Sequence, residues 1–386
     1  MALTRLNTNA YASTVDLTSN VTGELPDANI GPKLDYRNII INGDMQIAQR
    51  GTSFTSNGYT LDRFTMDEST DGAVTVTQDT DVPAGYGFAK SLKVDVTTAD
   101  ASIGAAQYCA FTTSFEGQNL QYLKYGTSSA ESLTLSFWVK SVKTGTYCIS
   151  FVKDAGGETR YECPIEYTIS SASTWEKKTI TLTPTAGSTT LITNSAGAIV
   201  NSNAKGFRVI FTLAAGSNFH ATNNTWVAGS DKLGTSNQVN GLDSTSNNFW
   251  ITGVQLEAGD TASEFEFLPY GVNLQRCQRY YYLHSGQIAT NKPIGIGYYY
   301  NSSYIGVFLG FPTTMRNSPS TVAPNSSNYF KFDRDGGNDQ FDTLATEIIS
   351  VNWAQLYHGS GSGTQGVSGS VRTNNASSYL AFESEL

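Results

Sequence analysis

Apolar and polar residues alternate with a period of two over much of the chain between Tyr36 and Tyr270. The runs are AVTVTQ at 73–78, SLKVDV at 91–96, SLTLSFWVKS at 132–141, TYCISFVK at 146–153, KKTITLTP at 177–184, KGFRVIFTLA at 205–214 and NFWITGVQLEAG at 248–259. Successive side chains of a strand point to opposite faces. SLTLSFWVKS would therefore set Leu133, Leu135, Phe137 and Val139 against a core, with Thr134, Ser136, Trp138 and Lys140 on the other face. Short strands of this kind, joined by Gly, Ser, Thr and Asn, predict a two-sheet antiparallel sandwich. Between Ala215 and Asn247 the signal fails around a lone Trp226, which predicts a long inserted loop. Phe219, His220 and Trp226 are its candidate contact residues, and pinning of the loop by Trp226 is the simpler role for that ring.

The pattern changes near Asn273. NLQRCQRYYYLHS places Leu274, Cys277 and Tyr281 near helical spacing ahead of an aromatic run, which predicts a brief helix entering a strand. Strands follow at 294–300 (IGIGYYY), 303–311 (SYIGVFLGF), 328–332 (NYFKF), 347–356 (EIISVNWAQL) and 377–383 (SSYLAFE), while HGSGSGTQGVSGS at 358–370 reads as an exposed loop. Residues 1–35 carry little periodicity and string together Gly23, Pro26, Gly31 and Pro32. That segment is expected to be extended and to gain order by lying across a partner through Leu17, Val21, Leu25 and Ile30. The predicted class is all-β, with an extended N-terminal anchor at 1–35 and two antiparallel β-sandwich domains at 36–272 and 273–386.

Composition narrows the function. The net charge of -9 arises from 33 acidic and 24 basic residues, with no Lys/Arg run to track a phosphate backbone, so no nucleic-acid partner is expected. No stretch is apolar for long enough to span a bilayer, and MALTRLNTNAYAS lacks the apolar core of a secretory signal, so the expectation is a soluble chain made in a cytosol, without membrane insertion. Cys109, Cys148, Cys163 and Cys277 form no C-x-x-C pair and read as buried thiols. The three histidines are few for acid–base or metal chemistry. Asp333, Asp335, Asp339 and Asp342 cluster in DRDGGNDQFD, which raises a glycosidase pair or a calcium loop. Leu344 stands where an EF-hand closes on Glu, and no coil-by-coil repeat accompanies the cluster, so a solvated hairpin tip is the simpler reading. No catalytic residue, cofactor or metal is assigned. The 21 Tyr and 19 Phe, with Tyr triplets at 280–282 and 298–300, must expose some rings, for sugar stacking or for packing against another subunit.

One stretch is more specific. NIIINGDMQIAQRGTSF at 38–54 followed by YTLDRF at 59–64 resembles the opening of carbohydrate-binding-module-like jelly-roll domains found in tail-fibre and virion proteins of tailed bacteriophages. Asn42, Gly43, Gln49, Arg50, Gly51, Asp62, Arg63 and Phe64 carry the match. GVQLEAGDTASEFEFLPYGVNLQRCQRYY at 253–281 resembles the end of the same domain, and FPTTMRNSPSTV at 311–322 with SSYLAFESEL resembles the module after it. The resemblance implies jelly-roll-like sandwiches in a virion-located tail fibre, trimeric around its long axis, and attachment by adhesion without catalysis. Its implied partners are copies of itself in a homotrimer, other tail proteins through residues 1–35, and a host surface glycan or outer-membrane protein. Tyr299, Tyr300, Tyr304, Trp353, Tyr357 and His358 are the candidate receptor contacts. An architectural virion role, as a capsid decoration or tail adaptor protein without host contact, is the alternative. For the motif itself a structural role is expected, with Arg50 or Arg63 paired to Asp62, Asp44, Glu257 or Glu264 so as to staple the first and last strands of the sandwich.

Overall fold

The computed structural model describes residues 36–154, 159–183, 190–229, 231–285, 290–323 and 328–386. The expected anchor, with Leu17, Val21, Leu25 and Ile30, lies outside the described residues. Each period-two run before residue 260 is a strand, and the strands sort into two sheets whose apolar faces bury one another. A six-stranded sheet runs in the order Ser53–Phe54, Ala73–Asp79, Ser91–Thr98, Asn248–Ala258, Leu133–Ser141, Glu176–Leu182. A seven-stranded sheet opposes it in the order Val227–Ala228, Tyr161–Ile169, Gly145–Lys153, Lys205–Ala215, Tyr108–Glu116, Phe64–Glu68, Gly58–Tyr59. Leu133, Leu135, Phe137 and Val139 are fully buried, as the alternation predicts, in one cluster with Phe111, Phe151, Phe207 and Phe211. Phe111 stacks on Phe211 at 4.9 Å and Phe137 meets Phe211 edge-on at 5.4 Å. Each such ring contributes roughly 1.5–3 kcal/mol on burial.

Two long strands of this sandwich lack a legible alternation. Tyr108–Glu116 buries residues of both faces. Tyr161–Ile169 contains Pro164, whose carbonyl accepts from the Asn224 N–H at 2.8 Å, away from the neighbouring strand Gly145–Lys153. The N and O of one strand residue point to the same side, so the missing N–H removes no bond of that ladder.

The outer faces differ from expectation. Thr134, Ser136 and Lys140 are buried because chain crosses over them. Thr134 Oγ1 donates to the Gly259 carbonyl at 2.8 Å, Lys140 pairs with Asp81, and Trp138 lies 4.3 Å from the ring of Tyr86. The insert after Ala215 likewise covers the outside of the seven-stranded sheet. Ser150 Oγ donates to the Lys232 carbonyl and Thr212 Oγ1 to the Leu233 carbonyl, while Leu233 packs with Ala110, Val152 and Ile210. Trp226 is buried in the main core, Phe219 packs on Tyr108, and His220 Nε2 contacts the Ala215 carbonyl at 2.9 Å. Trp226 thus pins the insert, the simpler of the two roles expected for it, while Phe219 and His220 are half-buried against the fold.

Beyond the sandwich, the helix Tyr270–Gln278 buries Asn273 and Cys277 one turn apart and leads into Tyr281–Ser285, as its spacing predicts. That strand joins Leu380–Glu383 and Ser320–Val322 in a three-stranded sheet. A second seven-stranded sheet runs Gly337–Phe341, Phe330–Arg334, Ser368–Thr373, Pro293–Tyr299, Ile305–Gly310, Trp353–His358, Ala345–Ile349. Its inner face supplies Ile294, Val307, Phe330, Phe332, Leu356 and Val371 to a second core that also takes Leu380 and Phe382 from the small sheet. The single strand expected at 347–356 is a hairpin of Ala345–Ile349 and Trp353–His358. The Gly-Ser segment expected to be a loop ends in Ser368–Thr373, third of the seven strands. Gly369 is there for close approach, since a Cβ would stand 2.2 Å from the Asp333 carbonyl oxygen. Asn38–Leu386 form one compact unit. Among the described residues no helix is long and apolar enough to cross a membrane. The four cysteines are buried and unpaired.

Candidate functional site

The residues of the N-G…Q-R-G…D-R-F motif form a buried clamp. Asn42, at φ +63°, accepts from the Ile47 N–H through Oδ1 and donates through Nδ2 to the carbonyls of Ile47 and Asp62. Gly43 lies so close to the last strand that a Cβ would stand 2.0 Å from the Val254 carbonyl oxygen. Gly51, at φ +123°, takes a conformation that side chains oppose. Gln49 donates to Asp62 from both its backbone N–H and its side chain, and its amide bridges the Tyr281 carbonyl and the Leu283 N–H.

Arg50 and Arg63 do not take the carboxylates expected for them. Asp62 is engaged by Gln49, Glu257 by Ser263 and Gln255, and Asp44 by Asn273. The guanidinium groups reach instead to the last residues of the chain. Arg50 pairs with Glu383 at 3.1 Å and Glu385 at 3.2 Å, and Arg63 pairs with Glu385 and donates to the Ser114 carbonyl at 2.7 Å. Arg50 lies 3.6 Å over the ring of Tyr281 and Arg63 3.6 Å over that of Tyr280. Alongside them, Glu116 receives Arg279 through two bonds at 2.7 and 2.8 Å and the Tyr280 hydroxyl at 2.6 Å. Burial acts to raise Glu116, but its hydrogen bonds to Arg279 and Tyr280 hold it below its ordinary value. Burial raises Glu385 against the pull of Arg63 and Arg50. The motif thus fastens the first sandwich to the C-terminal module, rather than the first strand to the last. It also accounts for the first Tyr triplet, since Tyr280 and Tyr281 are buried under the arginines instead of exposed.

The outer face of the C-terminal seven-stranded sheet is the opposite kind of surface. Ile296, Tyr298, Tyr300, Phe308 and Ile348 are exposed there, with Ile296 at 78% and Phe308 at 56%. Their common face follows from the register. Phe308 pairs with Gln355, Gln355 with Ile348, Gly306 with Tyr357 and Tyr298 with Gly306, while Ile305, Val307 and Leu356 between them enter the core. Gly306 leaves room for the Tyr298 ring, which a Cβ there would approach to 3.3 Å. Phe308 stacks on Trp353 at 5.0 Å, and Tyr304 stacks on Tyr357 at 5.0 Å with 1° between planes. Tyr300 meets Tyr304 at 5.8 Å.

Of the six expected receptor contacts, Tyr300, Tyr304, Trp353 and Tyr357 come together around this face. Tyr299 is fully buried against Phe332, and His358, paired across the ladder with the buried Ile305, stacks on Phe341 at 4.4 Å. These two are corrections, and the cause is elementary. Tyr357 and His358 are consecutive in a strand and cannot share a face, and Tyr300 follows directly on Tyr299, the inward-facing last residue of its strand. Tyr298 belongs to the triplet expected to expose some rings, whereas Ile296, Phe308 and Ile348 are additions from the structure, although the alternation of SYIGVFLGF carries the signal for Phe308.

Two other clusters serve the fold. Phe330–Arg334 and Gly337–Phe341 form a hairpin in which Asp333 pairs with Lys331 and Arg372, Asp339 with Arg334, and Asp342 accepts from the Asn328 N–H. On the outside of the six-stranded sheet, Trp250 and Trp175 donate to Asp79 and Asp81, with Lys140 between their rings. This group pins the crossing chain after Asp79.

No family model matches the sequence, and no curated protein matches it. Solved structures similar to part of it include an enzymatically active domain of tailspike protein 4 of bacteriophage CBA120, at 16% identity and TM-score 0.32 over 58% of this chain and 22% of that one. The chain thus spans about a fifth of the length of that tailspike domain. Also similar are a family 11 carbohydrate-binding module of Clostridium thermocellum, at 12% identity and TM-score 0.27 over 55% and 98% of the two chains, and the C-terminal family 22 module of Xyn10B of the same organism, at 12% and 0.28 over 57% and 100%.

Proposed function

We propose that the chain is a structural protein of a tailed-bacteriophage particle, an appendage of the tail-fibre kind that attaches the particle to the host surface by adhesion without turnover. The observation that carries this reading is the exposed apolar face of the C-terminal sheet. Five large apolar side chains exposed together on one rigid surface are uncommon on a protein with no partner. The buried arginine clamp supports it, because a contact surface fastened to its carrier transmits load and loses little ordering entropy on binding. The motif resemblance supplies the particle. In this reading residues 1–35 dock on other tail proteins and the chain assembles as a homotrimer, so that several weak contacts to a glycan or outer-membrane protein act together. No cofactor or metal takes part. Labelled, assembled protein should bind intact host cells saturably, and replacement of Phe308 and Tyr300 by Ser should abolish binding without lowering Tm. Absence of binding by folded, assembled protein would favour the architectural role.

A further inference from the structure

We infer that the partner received by this face is a protein surface with an apolar patch of its own, not a saccharide. The inference rests on the adhesion reading and names the partner class for the same site.

Three features of the face point that way. Saccharides bind by laying C–H faces on free aromatic rings while nearby polar groups take their hydroxyls. Here four of the rings are turned toward one another, Phe308 on Trp353 and Tyr304 on Tyr357, which leaves Tyr298 and Tyr300 outside the stacked pairs. The most exposed side chain is aliphatic, Ile296 at 78%, with Ile348 at 53%, and neither offers a sugar anything but desolvated hydroxyls. The amide and the cations nearby are already engaged. Gln355 donates to Glu347 at 2.6 Å, and Lys331 and Arg372 both pair with Asp333, at 3.1 and 3.4 Å. An anionic surface saccharide would meet those compensated cations on a chain whose net charge is -9.

Size bears on the occupant as well. Four strands spaced about 4.8 Å apart, read over some five residues, give a patch of roughly 300 Å². That lies within the usual range for functional apolar patches. It falls well short of the roughly 800 Å² per partner of a stable association, so a second copy of this chain would not be held by this face alone. A flat, dry and weak contact with a foreign protein fits, made effective by several copies on one particle.

The test uses the labelled full chain, in its assembled form, on three preparations of host cells: untreated, treated with proteinase K, and oxidised with periodate to destroy surface sugars. Binding should fall about tenfold or more after proteinase K and stay within about twofold after periodate. Ile296→Ser, which removes no ring, should weaken binding to untreated cells about tenfold, the loss expected for one buried aliphatic side chain, at unchanged Tm. Loss of binding after periodate but not after proteinase K, or full affinity of Ile296→Ser, would overturn the inference while leaving adhesion in place. No binding to untreated cells would overturn the adhesion reading and this inference with it.

Discussion

Replacing Arg63 by Met removes a charge from the centre of the clamp while keeping a side chain of similar reach. Arg63 sits at φ +70°, where Met is strained to a similar degree, so the comparison isolates the guanidinium. The side chain is 2% exposed, pairs with Glu385, donates to the Ser114 carbonyl and lies on the Tyr280 ring. Removing one partner of a buried pair typically costs about 3–5 kcal/mol, because the other charge is left without compensation. Glu385 retains Arg50 at 3.2 Å, which places the expected loss near the lower end. At roughly 2 °C per kcal/mol for a chain of this size, Tm should fall by about 6 °C or somewhat more at pH 7. Burial already raises the Glu385 carboxyl in the folded state. Glu385 can therefore take up a proton when its partner is removed, and the deficit should narrow as pH is lowered toward the ordinary glutamate range. Adding Glu385→Gln to Arg63→Met should restore part of the loss, giving a clearly non-additive cycle. Thermal unfolding followed by circular dichroism reads all four proteins. A Tm for Arg63→Met within about 1 °C of wild type, together with lost adhesion, would refute the clamp and assign Arg63 to ligand binding.

Other substitutions separate surface from frame. Tyr299→Ala should cost about 3–5 kcal/mol through an unfilled core, whereas Tyr300→Ala should leave Tm almost unchanged; denaturant melts compare them directly. Gly43→Ala should destabilise by about 3 kcal/mol or more, because the Val254 backbone cannot yield, and expression as insoluble protein would be an equivalent outcome. Glu116 is held below its ordinary value of 4.5, so its stabilising contribution is present above that pH and disappears as pH falls through the folded value; the Tm gap between wild type and Glu116→Gln should close on acidification. All four thiols should resist a thiol reagent in the native protein and react once it is unfolded, since burial pushes Cys148 up to about 11 and Cys163 up to about 12.

The strands were legible where one face of a strand meets a core and the other meets water, or a cover that is itself polar. Leu133 to Val139 alternate because outer neighbours such as Thr134 and Lys140 can be satisfied by crossing chain. Tyr108–Glu116 was not legible because both of its faces are covered. Ser368–Thr373 was hidden by its Gly-Ser composition, which answers to the crowding at Gly369 rather than to loop freedom. At the motif, the sequence identified Arg50 and Arg63 as structural but not their partners, because a carboxylate more than 300 residues away leaves no local pattern. At the candidate surface, a count of aromatics drew attention to the right strands. Period two, applied residue by residue, would have separated Tyr300 and Tyr357 from Tyr299 and His358 and added Phe308.

The central claim is that the C-terminal sheet face makes the host contact, and competition tests it most directly. Unlabelled, assembled protein is mixed with host cells before phage is added, and unadsorbed phage is counted against protein concentration, in parallel with the Ile296→Ser/Phe308→Ser double variant. The account predicts saturable inhibition of adsorption by the wild-type protein and little by the variant, with equal Tm for both. Inhibition by the variant equal to that of wild type, or none by folded wild-type protein, would contradict it.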